Sequence, residues 1–344
     1  VRWMLLQVSP VRHVLAVSFH HIAVDGVSMR TVVGDLLTAY GKRRAGLDSQ
    51  WSPLPIQYGD FAAWEAARDV SPGVEQFWRR TLDGVSSVSP LTVDHSDGGP
   101  DTVAQRVNFV IPAVITSALQ ARADRLKVSL FAVVHAALSV VLAKLSGNPD
   151  VVIATAVDGR RAPQLDGVVG MFVDTVPLRL RIDGDVPIDL LLGAAFDADV
   201  AAFENSSVPA ELVGELLGGR TPQIALGLQN FAIPAVEVSG LTIEAREIET
   251  ATTKFPMHVS LAPAVDGSLT GALIYAASVF DPSSADAVTR QLSRVLTSIA
   301  EDVPVLVSDL AVGAAPSWTA AEVDSSRTLT EIFAATAARF PNNI

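Results

Sequence analysis

One stretch limits the fold more than any other. From Leu130 to Ala143 the chain is apolar for 14 residues, broken only by His135 and Ser139, and Lys127 and Lys144 close it off. Fourteen residues fall short of the roughly 18 or more that a membrane-spanning helix needs. A helix that is apolar on all sides and too short to span is buried inside a protein. It therefore requires other layers around it, and the rest of the chain must supply them. The composition agrees. Hydrophobic residues make up 49% and charged residues 18%, with a mean hydropathy of +0.36, the opposite of a disordered chain. Lys and Arg number 25 against 37 Asp and Glu, a net charge of −12. Such an acidic chain is poorly suited to grip a phosphate backbone, so nucleic acid is not an expected partner. With no cysteine, disulfides, thiolate nucleophiles and cysteine-ligated metal are excluded.

Periodicity supplies the layers. Trp3–Val8 and His13–Phe19 read as strands joined at Ser9-Pro10. Val27–Arg44 reads as a helix, with Val32, Val33, Leu36, Leu37 and Tyr40 at helical spacing. Gln57–Arg68 and Val74–Leu82 read as further helices. The polar, glycine-containing stretch 93–102 marks a boundary, which divides the chain into residues 1–97 and 98–312. Beyond it, a strand near Ala104–Val110, a helix opened by Pro112 and the apolar helix lead to strands at Val151–Val157 and Thr175–Ile182. Helices are expected at 187–205 and Ala210–Leu217, strands at 223–230, Leu241–Ile248, Met257–Ala262 and Leu269–Ala276, and a last helix from Ser283 to Ala300. Helices and strands in this arrangement give an α+β fold. Residues 313–326 read as a linker. Thr328-Leu-Thr-Glu331 then has the form of a capping box opening another helix. The opening residue is Val1, its apolar run does not have the pattern of a signal peptide, and the expectation is that the chain is part of a longer one.

Charge divides unevenly: residues 1–97 carry nine basic and ten acidic groups, and the remainder carries most of the negative charge. The chemistry concentrates in Ser18-Phe19-His20-His21-Ile22-Ala23-Val24-Asp25-Gly26, between a strand and a helix. If the strand persists, His20 and His21 point to opposite faces, so one packs and the other is free to work as a proton donor or acceptor near neutrality. Asp25 can cap the helix or pair with an arginine. Gly26 permits a sharp turn, and amides at a helix start can receive a developing oxyanion. Three readings stay open from these residues: catalysis, a metal site built on His20, His21 and Asp25, or a packed histidine pair beside a helix cap. Adjacent histidines diverge on a strand and no third ligand follows at metal spacing, so no metal is expected.

The motif His-His-x-x-x-Asp-Gly resembles the signature of condensation domains of nonribosomal peptide synthetases, within the chloramphenicol-acetyltransferase-like superfamily. Further blocks match in order. They are Gln57-Tyr58-Gly59-Asp60-Phe61-Ala62-Ala63-Trp64, then Phe77-Trp78-Arg79 with Leu82, then Gly159-Arg160 with Gly170-Met171-Phe172-Val173-Asp174-Thr175 and Arg179. Leu228-Gln229-Asn230 and Lys254-Phe255-Pro256 complete the set. The resemblance covers residues 1–312, and residues 327–341 resemble the start of an adenylation domain. It departs from the family pattern at Val27, where tryptophan is common, and at Asp174, where asparagine is usual.

The resemblance implies two acetyltransferase-like lobes meeting in a V. The first lobe, residues 1–97, would be incomplete by on the order of 120 residues, because the motif normally lies late in it; residues 98–312 would form the second. It implies an acyltransferase that joins a carrier-bound donor thioester to a carrier-bound aminoacyl acceptor. His21 would act on the attacking amine, with His20, Asp25 and Gly26 as support. Ser28, Asp174, Arg179 and Asn230 are candidates for the tunnel or the lobe interface. No cofactor is expected on this chain, since phosphopantetheine belongs to the upstream and downstream carrier domains. An adenylation domain in cis and a cytoplasmic location are also implied. Two other readings remain: a stand-alone acyltransferase using coenzyme A thioesters, and a non-catalytic docking scaffold. Trp64, Tyr58 and Trp78 are read as core, and His20 as packing. Arg179 is read as a link between two elements.

Overall fold

The computed structural model describes residues 1–85, 91, 94, 103–229, 236–238, 240–244, 248, 251–310 and 312. Residues Val1–Val312 form one compact unit. Asn230, the division at residue 97 and the segment 313–344 with its linker, capping box and adenylation-like start lie outside the described residues.

The chain opens with a hairpin. Strands β1 (Arg2–Ser9) and β2 (Arg12–Ser18) pair antiparallel with Leu5 opposite Leu15. Three helices follow: α1 (Gly26–Arg44), α2 (Tyr58–Ala66) and α3 (Pro72–Leu82). Then come β3 (Ala104–Ile111), α4 (Ala113–Leu126), α5 (Leu130–Ser146), β4 (Asp150–Asp158) and β5 (Val173–Arg181). They are followed by α6 (Ile188–Glu204), α7 (Ala210–Leu216), β6 (Ile224–Leu228) and a small hairpin of β7 (Val236–Val238) and β8 (Leu241–Ile243). Strands β9 (Met257–Pro263) and β10 (Leu269–Ala276) and helix α8 (Pro282–Ala300) close the unit.

Six strands form a mixed sheet in the order β3-β10-β9-β6-β4-β5. The inner strands β4, β6 and β9 run parallel, and antiparallel partners flank them on both sides. Alternation along each strand separates two faces. Met257, Val259 and Leu261 point into the core with Leu226 and Leu273, all at most 1% exposed. Gly271 sits there because the Phe109 ring lies over it: an added Cβ would fall 2.3 Å from that ring.

The apolar run is α5. Ser129 caps its start, its hydroxyl accepting from the Ala132 amide at 3.0 Å, and Gly147 ends it in the left-handed conformation at φ 70°. Every residue from Ala132 to Ala143 is buried, and the helix packs against α4, α6 and α8. Its two polar residues enter the core with it. His135 Nδ1 lies 2.7 Å from Asp199 Oδ1 of α6, and both side chains are buried. Along α8, Val288, Leu292, Val295 and Ile299 recur at helical spacing and are buried, the amphipathic stripe expected of a helix laid on a core. Among the described residues no single helix is long and apolar enough to cross a membrane. Helices α4 and α5 would suffice only jointly, and they meet at 107°.

Trp78 of α3 is fully buried and donates from Nε1 to the Asn205 carbonyl at 2.9 Å. Trp64 corrects its reading as core. It is 55% exposed, and the Arg68 guanidinium lies 5.5 Å from its ring centroid. Its place in an apolar helical stripe was a poor guide, because that face of the short helix α2 meets no other described element over most of the ring. Tyr58 is half-buried.

Candidate active site

Strand β2 ends at Ser18, before the two histidines. His20 and His21 therefore do not alternate across a strand; they open a single 3-10 turn, His21–Ala23. His20 is not packed, which corrects that expectation. It is exposed, and its Nδ1 accepts from the Ile22 amide at 3.2 Å, so its imidazole caps the turn. His21 is also exposed, and among the described residues no hydrogen-bond partner meets its imidazole. The ring is left to face whatever enters beside it.

What fixes this turn in place is Asp25. Its carboxylate is buried and takes four contacts. Oδ1 accepts from the Ser28 amide at 2.8 Å, the N-cap bond of α1, and from Arg160 Nη2 at 3.1 Å. Oδ2 accepts from Arg160 Nη1 at 2.7 Å and from the Phe172 amide at 3.0 Å. The pair is thus bidentate, the strongest form of this bond, with both side chains at most 2% exposed. Burial pushes the Asp25 carboxyl up. The guanidinium and the two amides outweigh that push and hold it below its ordinary value. With both oxygens engaged, the carboxylate is a structural anchor.

Ser28 completes the seam. Its hydroxyl donates to the Gly170 carbonyl at 2.8 Å and accepts from the Gly170 amide at 3.0 Å and Arg160 Nη2 at 2.9 Å. It is fully buried and joins two segments. Arg160 also donates to the Val168 carbonyl at 3.2 Å and lies 4.1 Å from the Phe172 ring centroid. Below it, Tyr58 donates to the Met171 carbonyl at 2.8 Å and meets Phe172 edge-on at 5.1 Å. Gly170 must be glycine, since a Cβ there would sit 2.0 Å from the Tyr58 ring. Gly159 is equally constrained, its amide bonded to the Phe172 carbonyl that a Cβ would meet at 2.3 Å. Gly26 differs: it is exposed at the first helical position and is not among the positive-φ residues, so no left-handed turn demands it.

The remaining candidates are spread out. Asp174 is half-buried and 3.4 Å from Arg161 Nη2. Burial pushes its carboxyl up and Glu65 adds to that, against the opposing pull of Arg161 and Arg68. Arg179 pairs with Asp150 through Nε at 2.8 Å and Nη2 at 2.7 Å. Its Nη1 donates to the carbonyls of Thr81 and Asp83 at 2.9 and 2.7 Å. It therefore ties the end of α3 to the β4–β5 edge. Arg160 was not singled out as a site residue from sequence, although the Gly159-Arg160 pair belonged to a matching block and Asp25 called for an arginine. Among the described residues no group of three or more metal-ligating side chains is found.

Comparison with known proteins decides the family. The profile of the Condensation domain matches residues 1–313. The chain belongs to the condensation domain family. It is 32% identical over 94% of its length to an isonitrile lipopeptide synthase of Mycobacterium tuberculosis, and 28% identical over 89% to a dimodular nonribosomal peptide synthase of Bacillus subtilis. The chain spans only 13% and 14% of those two proteins. Among solved structures, the X-domain from teicoplanin biosynthesis in complex with OxyB superposes with a TM-score of 0.79 at 28% identity, covering 91% of this chain and 72% of that one. The first condensation domain of the calcium-dependent antibiotic synthetase, bound to a substrate analogue, gives 0.73 at 19%, covering 91% and 69%. The fold is thus that of a condensation domain.

Proposed function

We propose that this condensation domain forms a peptide bond between two carrier-bound substrates. The observation that carries the reading is the exposed His21 imidazole on a turn anchored by a buried, bidentate Asp25–Arg160 pair. The acceptor amine attacks the donor thioester carbonyl, the C–N bond forms, the C–S bond breaks, and the carrier's thiolate leaves. The amine must shed one proton. His21 either accepts it or holds the amine in place. A free α-amine has a pKa of about 7.7–8.0, so part of it is neutral near pH 7 and orientation alone is worth much of the rate. His20, Asp25 and Ser28 keep the turn where it is. Asp174, beside Arg161, and Arg179, at the end of α3, act as supports away from the turn. Upstream and downstream carriers supply both thiols through their phosphopantetheine arms, and the chain works in the cytoplasm beside an adenylation domain.

The test is condensation between two loaded carriers with the intact synthetase. His21→Ala is expected to slow product formation by about 10²-fold or more, with carrier loading unchanged. A pH profile of the wild type separates the two roles, since a base gives a rate limb that disappears in the variant. Full activity of His21→Ala would overturn the assignment of this role to His21.

A further inference from the structure

The last described segment of the compact unit is a strap. After α8, residues 303–310 run back across the β5–α6 connection. Val305 accepts from the Ile188 amide at 2.9 Å, Val307 donates to the Val186 carbonyl at 3.0 Å, and Ser308 donates to the Gly184 carbonyl at 2.9 Å. Val307 and Leu310 are buried as two apolar plugs. Past Ser308 the backbone ladder to the body of the unit ends. Among the described residues, the chain is gripped there by the buried Leu310 side chain, by the partly buried Val312 packed on the core, and by Lys144 at the end of α5. Its Nζ donates to the Ser308 carbonyl at 2.9 Å and to the Leu310 carbonyl at 2.5 Å. The facing charged group is Asp309, which partly offsets the downward push of burial on the lysine. A half-buried ammonium held by two carbonyl acceptors ties residues 308 and 310 to the end of α5, and freeing it leaves those two carbonyls without this donor.

We propose that Lys144 is a pin that sets where the chain leaves the condensation domain, and that losing it frees residues 308–312. Five extended residues lengthen the tether to the following segment by about 15 Å. The pin is independent of the peptide-bond reading, whereas its effect on turnover rests on that reading. A change in tether length alters the effective concentration of anything attached beyond it.

Hydrogen exchange on the full chain tests the pin directly. In Lys144→Met, the Ser308 and Val312 amides are expected to exchange at least tenfold faster, while amides of α5 and β4 keep their protection. Lys144→Arg, which can reach both carbonyls, is expected to recover most of it. Unchanged exchange at Ser308 and Val312 refutes the pin, and so does an equal rise throughout α5 and β4, which would make Lys144 a general core support. If Lys144→Met does not fold, Leu310→Gly loosens the same grip from the other side with the lysine intact. It must then free residues 308–312 less than Lys144→Gln does, or the plug and not the pin holds the strap. In the intact synthetase, the pin variants are expected to slow condensation with the carrier in cis by several-fold and leave it unchanged for the same carrier in trans; equal losses in both refute the tether. Absence of condensation in the unaltered protein would count against the proposed function alone, since the exchange measurement still reads the pin.

Discussion

The β1–α1 segment and the β3–α8 body are built on different physics. In the body, α5 is buried along twelve consecutive residues and the sheet face beneath the helices is mostly apolar, with Thr155 buried there and donating its hydroxyl to the Leu226 carbonyl. In the segment that bears the histidines, Trp3, Met4, Leu5 and Leu15 are all exposed by more than 40%, and the one buried residue of α1 is Ser28. Position there depends on directed polar bonds to residues 160–172. The body can lose a contact and redistribute its packing. The site segment has nothing to redistribute. Precision at the histidine turn therefore rests on a few hydrogen bonds that local sequence patterns do not announce.

Removing one partner of the Asp25–Arg160 pair is expected to be the largest single perturbation. Asp25→Ala or Arg160→Met should cost about 3–5 kcal/mol of docking energy, because a buried charge is left unpaired. Hydrogen exchange should show loss of protection in residues 24–29 with α5 unchanged, and condensation should fall to background. Protection lost equally in α5 would erase the contrast between the two regions. Leu138→Ala probes the other side. It should lower global stability by about 2–5 kcal/mol, read by denaturant unfolding, while condensation under conditions where the domain stays folded remains near wild type.

Acid should distinguish the two regions as well. The Asp25 carboxyl is held below its ordinary value in the folded protein, so its contribution is complete above the unfolded pKa of about 3.9 and is lost as pH falls through the lower folded value. On titration below pH 4, exchange at residues 24–29 should rise before that of α5. In Asp25→Asn this early limb should vanish. The smallest effect belongs to the exposed Arg79–Glu75 pair at 2.8 Å. Arg79→Ala should change the unfolding midpoint by the equivalent of less than about 1 kcal/mol, with no change at the turn.

Much of the fold can be read from short-range pattern. Alternation predicts the strands, a 14-residue apolar run predicts α5, and Pro112 marks a helix start through local backbone preference. The motif marks the turn, and Asp25 reads as a cap from its position alone. Pairings across long stretches of chain are not legible in this way. The Asp25–Arg160 partners are 135 residues apart, and no periodicity links them. The His135–Asp199 pair hides inside a run that looks uniformly apolar. Trp64 failed because exposure is set by which neighbours arrive in three dimensions. His20 failed because the strand, read to Phe19, ends at Ser18 and gives way to a 3-10 turn.

The span of that Asp25–Arg160 bridge also orders events in time. A contact closing 135 residues of chain gains nothing until β4 and the 159–172 loop already exist. The histidine turn is therefore assembled late, on a finished scaffold. A ribosome must deliver the chain as far as Phe172 before the turn encoded near residue 20 can settle. Loss of the bridge should then speed opening of the turn while leaving the folding rate of the body untouched.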